Sequence, residues 1–540
     1  MSSTDARTIR DASYAVLRER GLTKVFANPG STEISLLSGF PQDFEFILAL
    51  HEGSLVGMAT GYALARNEAA MVIVHTTAGL GNAVAALATA RVNRAPLVVL
   101  VGQQDRRHLA TDPFLAGRVR GLAGDYPVWY NEPVTAQDVP AALARAHEEA
   151  LTHRGPALVV VPMDDWNVPV DERHFFTAPA HVERARLAAD SAVADVAALI
   201  NAAKNPVIVG GAGNNTEAGW AAAVTLAERI NAPVFQESFA GAPGFPQHHP
   251  LFAGFLSASR TTLRSQLGEF DLILTVGAPV LRQYNFESGL MFAPGAKVVI
   301  LTETAEEAHR SPADIAVIAD LAPTLAALSE KVTPMAEQRS SVTFARRPLP
   351  TPNDDEPLRA SHVMGMLATR LPENVILVEE TPSSRPDLHE LVPAKTPLGF
   401  VSAAMGGLGF GLPASIGLRM GAPDRATVAV LGDGSAMFGI QGLWSAAHYS
   451  VGSLFIILNN DRYAVMDRLN EKHGSSTPAW PPFSEVDFAH LADSFGVEGR
   501  RLTTRDEVAA ALDEVIPSLA QREKPLVLVI EVEPELTFAP

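Results

Sequence analysis

Runs of apolar β-forming residues recur along the chain without the polar alternation of a sheet that faces water on one side. In the first third they occupy residues 71–75, 96–102 and 157–161; in the middle, 206–210, 271–276 and 297–301; in the last third, 375–378, 426–431, 453–458 and 525–532. Strands that are apolar on both faces belong to parallel sheets covered by helices, and helix-length stretches separate these runs. At 540 residues the chain is too long for one core. The expected fold is therefore α/β, with three doubly wound parallel-sheet domains spanning 1–175, 185–335 and 355–540. The rhythm breaks at about 166–187 and about 333–357; the second stretch contains Arg-Arg-Pro-Leu-Pro-Thr-Pro, and both read as linkers.

Composition narrows the function. Acidic residues outnumber basic ones, 60 to 42, for a net charge of −18, which argues against nucleic acid or an anionic membrane as partner. Cysteine is absent, so disulfides, thiolate metal sites and a cysteine nucleophile are excluded. The N-terminus lacks an apolar signal core and no run reaches membrane-spanning length, which makes a cytoplasmic location the expectation.

Two of the runs end in residues suited to chemistry. Strand 426–431 leads into Gly432-Asp433-Gly434-Ser435, a helix-compatible stretch covers 435–449, and strand 453–458 leads into Asn459-Asn460. Ligands of parallel sheets gather at the carboxyl ends of the strands. Asp433 and Asn460 offer a carboxylate and an amide oxygen there, and with a nearby backbone carbonyl, that of Arg462, they suit a hard cation such as Mg²⁺ or Ca²⁺. Gly432 and Gly434 leave room for a diphosphate at the backbone N–H groups that follow. Taken singly, GDG is also an ordinary strand-to-helix turn and Asn-Asn-Asp an ordinary cap. Paired one βαβ unit apart, they resemble the diphosphate-binding domain of thiamine diphosphate (ThDP) enzymes.

Further motifs extend that resemblance over residues 8–535. Glu52 opens a helix in His51-Glu-Gly-x-x-x-Gly-Met-Ala-x-Gly-Tyr62, with Leu55, Val56, Ala59 and Ala63 on its apolar face. A first-turn glutamate also complements a helix dipole, and Ser31 and His75 also read as a helix cap and a strand-end histidine. With Asn28-Pro-Gly-Ser-x-Glu33, His75-x-x-Ala-Gly-x-Gly-Asn82, Gly102-Gln-Gln, Val161-Pro-x-Asp-Asp-Trp166, Gly277-Ala-Pro-Val280 and Ala404-x-Gly-Gly-Leu-Gly-Phe410, however, the chain resembles the ThDP-dependent 2-oxo acid decarboxylases, in particular the benzoylformate decarboxylases.

The resemblance implies roles residue by residue. Glu52 is the carboxylate that activates the aminopyrimidine; Ser31 is a ligand of the substrate carboxylate, and His75 a proton-transfer residue. Asn28, Asn82, Thr381, Ser383, Ser435 and Tyr463 face the cofactor, and Leu408 wedges between its rings. Val465, Met466 and Leu469, with Leu109 and Phe114, are candidate walls of an apolar substrate pocket. Tyr284 stands where the best-known members carry a second active-site histidine; a phenol with an ordinary pKa near ~10 is a poor proton shuttle at neutral pH.

The family's domains imply an N-terminal aminopyrimidine-binding domain, a structural middle domain and a C-terminal diphosphate- and metal-binding domain. They also imply a site between two subunits, hence a dimer or a dimer of dimers. The substrate implied is a small 2-oxo acid, benzoylformate-like, or an aldehyde in carboligation. Carboligase, C–C lyase or acetolactate-synthase-like chemistry is the first alternative, and a non-catalytic regulatory subunit is a more distant one. Some relatives hold FAD in the middle domain. The loop Gly210-Gly-Ala-Gly-Asn-Asn215 lacks the full dinucleotide pattern, so no FAD is expected.

Overall fold

A computed structural model describes residues 7–171, 173, 182, 186–335, 345–351, 356–474 and 477–535. Much of both expected linkers, at 166–187 and 333–357, lies outside the described residues.

The strands form three separate six-stranded sheets, and every pair is parallel. The first holds β1 (Lys24–Asn28), β2 (Glu45–Leu48), β3 (Ala70–Val74), β4 (Leu97–Gln103), β5 (Trp129–Asn131) and β6 (Pro156–Pro162). The second holds β7 (Pro206–Gly210), β8 (Val234–Gln236), β9 (Phe252–Phe255), β10 (Leu272–Val276), β11 (Lys297–Thr302) and β12 (Ile315–Ile318). The third holds β13 (Ile376–Glu380), β14 (Val401–Ser402), β15 (Thr427–Gly432), β16 (Leu454–Asn459), β17 (Glu498–Leu502) and β18 (Leu526–Glu531). The central strands are buried along nearly their whole length, as their uninterrupted apolar sequences require.

The first and third sheets share one strand order, β2-β1-β3-β4-β6-β5 and β14-β13-β15-β16-β18-β17, whereas the middle sheet runs β12-β11-β10-β7-β8-β9. In the first sheet the order reverses between β1 and β3, and in the third between β13 and β15. Chain crossovers leave opposite faces of the sheet at such a point, opening a crevice beyond the strand ends. Asn28 ends β1 and His75 follows β3; Thr381 follows β13 and Asp433 follows β15. The candidate residues of both halves therefore cluster at equivalent places in two domains of like topology.

The outer domains meet along the helices Glu52–Arg66 and Gly411–Gly421, which approach until backbone touches backbone. A methyl group on Gly417 would lie 1.8 Å from the Met58 carbonyl oxygen, and one on Gly61 would lie 2.1 Å from that of Ala414. Glycine is required there by the closeness of the helices, not by any unusual φ. The helix expected over 435–449 is instead two, Asp433–Met437 and Gly442–His448. The break sits at Gly439, where a side chain would press on Pro413 and on the Gly409 carbonyl. Among the described residues no helix is long and apolar enough to cross a membrane.

In the middle domain, the glycines of 210–215 accommodate neighbouring loops: a methyl on Gly211 would lie 2.5 Å from the Ala278 Cβ, and one on Gly213 would lie 2.8 Å from the Gly277 Cα. The buried Asn214 side chain ties the loop to the carbonyls of Gly219 and Gly244.

Candidate active site

The N-terminal half is organised around two buried carboxylates. Glu52 begins its helix behind a His51 cap and is only 8% exposed. Asn28 Nδ2 donates to one of its oxygens at 3.0 Å and Asn82 Nδ2 to the other at 3.1 Å. Three residues far apart in sequence thus converge, and the two amides fix the plane of the carboxylate.

The second carboxylate, Glu33, lies in the quoted Asn-Pro-Gly-Ser-x-Glu motif but received no role from the sequence. It is 1% exposed, accepts from the Gly30 N–H at 2.6 Å and from the Thr32 hydroxyl at 2.5 Å, and stands 3.0 Å from His75 Nδ1. Ser31 opens the short 3-10 turn Ser31–Glu33 with its side chain exposed. Directly after His75, the buried Thr76 takes φ +31, a conformation that a β-branched residue rarely adopts. This strain sits at the strand-to-helix turn that presents His75.

In the C-terminal half, Asp433 is 3% exposed and opens the short helix Asp433–Met437 that follows β15. Its carboxylate accepts from the N–H groups of Gly434, Asn460 and Asp461 at 2.6, 2.8 and 2.7 Å. Burial nonetheless pushes its carboxyl above the usual carboxylate range. Asn460 Oδ1 accepts from the Arg462 N–H at 3.2 Å. Among the described residues no three His, Asp or Glu side chains gather to hold a metal. The donors that the sequence proposed, one carboxylate, one amide oxygen and a backbone carbonyl, are hard oxygens that fit Mg²⁺ or Ca²⁺ in type, and a bound cation would favour the charged form of the buried Asp433. Beside them, a methyl on Gly434 would lie 2.5 Å from the Tyr463 ring, which packs on Phe483. Ser435 is buried.

At the end of β13, the buried Thr381 gives its N–H and hydroxyl to Glu379 at 2.6 and 3.2 Å, and Ser383 is half-buried. Glu380 is sealed beneath the turn 409–411, accepting from the N–H groups of Gly409 at 2.6 Å and of Gly411. Burial pushes its carboxyl up to about 8, outweighing those two hydrogen bonds.

Leu408 stands on a strap that all three domains hold. Asn93 donates to the Ser402 carbonyl and accepts from the Ala404 N–H, Gly241 accepts from the Ser402 N–H, and Arg282 donates to the Ala404 carbonyl. The strap borders a cleft of about 750 Å³ between the middle and C-terminal domains, where Leu408, Tyr284, Val465 and Leu469 come together. Tyr284 is 61% exposed in its wall. Met466 lies on the same helix as Val465 and Leu469 but outside the lining, 42% exposed. Glu52, His75, Ser31, Asn28, Asn82 and Leu109 do not line this cleft. Leu109 is half-buried and Phe114 protrudes on the N-terminal domain. Arg385 and His389 also line the cleft; no motif pointed to them.

This pairing of a buried carboxylate cluster with an acid-and-amide turn, on two like sheets, matches a known class. The chain belongs to the thiamine pyrophosphate enzymes: residues 7–118 match the N-terminal TPP binding domain of that family, 193–328 its central domain and 383–530 its C-terminal TPP binding domain. Within the class it is an enzyme of the carboxy-lyase kind, 37% identical over 518 residues to benzoylformate decarboxylase of Pseudomonas aeruginosa, covering 94% of this chain and 97% of that one. The solved structure of a ThDP-dependent 4-hydroxybenzoylformate decarboxylase from Rhodococcus jostii RHA1 superposes with a TM-score of 0.91 at 33% identity, over 98% of this chain and all of that one. The large subunit of acetolactate synthase isozyme 1 of Escherichia coli is also similar, at 27% identity over 96% of this chain and 93% of its own.

Proposed function

We propose that the protein decarboxylates an aromatic 2-oxo acid of the benzoylformate kind to the aldehyde and CO₂, using ThDP and Mg²⁺. When bound, ThDP supplies a nucleophilic carbon and a sink for the electron pair released as CO₂ leaves. The residues of this chain do the rest. Glu52, held by Asn28 and Asn82, would orient and polarise the aminopyrimidine. Asp433 and Asn460, with the Arg462 carbonyl, would hold the metal that neutralises the diphosphate. Ser31 would bind the substrate carboxylate and His75 would move protons at the reacting oxygen and carbon. Tyr284, Leu408, Val465 and Leu469 would wall the space for the substrate side chain.

The observation that carries this reading is the separation of the two halves within one chain. The cleft that gathers Leu408, Tyr284, Val465 and Leu469 contains neither Glu52 nor His75. The reading accordingly places the working site where the N-terminal domain of a second copy covers this cleft, making a dimer the smallest active unit and a dimer of dimers its natural assembly. The similarity to acetolactate synthase favours one competing reading, condensation of 2-oxo acids or aldehydes without net release of an aldehyde.

The test is CO₂ release with product analysis for benzoylformate and pyruvate, with ThDP and Mg²⁺ supplied. Burying a phenyl ring in place of a methyl adds about 2 kcal/mol of apolar contact, so kcat/KM for benzoylformate should exceed that for pyruvate by about 30-fold. Acetolactate as the main product from pyruvate would overturn the proposal in favour of the competing one.

A further inference from the structure

His75 has one ring nitrogen whose surroundings are fully specified. Nδ1 lies 3.0 Å from Glu33 Oε2 and 3.0 Å from Thr32 Oγ1. The hydroxyl of Thr32 has one proton, and it is spent on Glu33 Oε1 at 2.5 Å, so toward the imidazole that oxygen only accepts. The Glu33 carboxylate likewise only accepts, from Nδ1 and from the Gly30 N–H. Two acceptors facing one ring nitrogen require that nitrogen to carry the proton. Nε2 has no hydrogen-bond partner among the described residues and is left with its lone pair.

The packing leaves space for this pairing and little else. The Glu33 side chain is fully buried, and a methyl on Gly102 would lie 1.5 Å from its Oε1. A methyl on Gly30 would lie 2.4 Å from the imidazole itself. Two glycines therefore make the room in which carboxylate and ring stand against each other, and a side chain at either position would displace them.

We infer that Glu33 is a positioning residue that holds His75 as the Nδ1–H tautomer, making Nε2 the atom that exchanges protons with the substrate. In each cycle His75 takes a proton from water on Nε2, the resulting imidazolium is held through Nδ1–H by the Glu33 carboxylate, and Nε2 delivers that proton to the substrate carbon from which CO₂ has left, so one solvent proton becomes the aldehyde hydrogen and His75 ends unchanged. The inference rests on the decarboxylase reading for its kinetic consequence, but not for the tautomer.

The test has two arms. Ring ¹⁵N spectra of histidine-labelled protein without cofactor, with His75 assigned by its loss in His75→Gln, should show a protonated Nδ1 and a bare Nε2. In Glu33→Gln, whose amide can donate to the ring, the tautomer should become mixed or reversed, whereas Thr32→Val, which keeps the carboxylate, should leave it as in wild type. In turnover, Glu33→Gln should lower kcat on benzoylformate about 10- to 100-fold with KM within about threefold. Exchange of the cofactor C2 proton, which depends on the separate Glu52 cluster, should be unaffected. An Nε2–H tautomer in wild type overturns the inference even if Glu33→Gln does not fold, as does a folded Glu33→Gln with unchanged tautomer and kcat. A wild type with the expected tautomer that releases no CO₂ from any 2-oxo acid would instead sink the decarboxylase reading.

Discussion

Replacing Gly417 by alanine tests whether the contact between the outer domains holds the site in place. In a helix interior, glycine to alanine normally stabilises by about 1 kcal/mol, because alanine loses less backbone entropy. Here the added methyl would lie 1.8 Å from the Met58 carbonyl oxygen and 2.8 Å from the Tyr62 nitrogen, both backbone atoms of the facing helix. Ordinary contact needs about 3.5 Å, so the helices must part by about 1.5 Å. Overpacking of this kind costs about 3 kcal/mol, since no side chain can swing aside. That reverses the sign expected from helix propensity and should lower the melting midpoint by about 6–12 °C. Glu52 is the first residue of the displaced helix, and a shift of about 1 Å at a reacting group costs about 100-fold in rate. Differential scanning calorimetry and kcat on benzoylformate measure both effects. A variant that melts at or above the wild-type temperature with kcat within twofold would refute the argument.

Two further outcomes follow from the C-terminal domain. Asp433→Ala should abolish measurable ThDP binding in Mg²⁺ by calorimetric titration while the protein stays folded; undiminished affinity would remove Asp433 from the metal assignment. Glu380 binds its proton more tightly folded than unfolded, its carboxyl lying at about 8 against an ordinary 4.5, so its contribution is complete below pH 4.5 and is lost as pH rises toward 8. The loss amounts to about 5 kcal/mol at most. Between pH 5 and 8 the melting midpoint of wild type should fall more steeply than that of Glu380→Gln, and parallel curves would show that Glu380 stays ionised.

The sequence alone determined the fold class. Fully apolar strands such as 426–431 and 453–458 admit only a covered parallel sheet, and the interior strands of all three sheets other than β1 and β8 lie where the apolar runs stand. Short edge strands carried no such signal: β5 and β17 are partly exposed and need not be apolar, and β14, though buried, is only two residues long. The sequence also placed Glu52, Asp433 and Asn460 at strand ends and helix starts, since glycine, acid and amide residues there are local features. What only the tertiary structure decided are the relations across sequence distance. Asn28 and Asn82 meet on Glu52, Glu33 fixes a proton on His75, and Gly61 and Gly417 let two domains touch. Each depends on distances of a few ångströms between segments tens to hundreds of residues apart, set by the packing of whole sheets and helices rather than by any pattern readable along the chain.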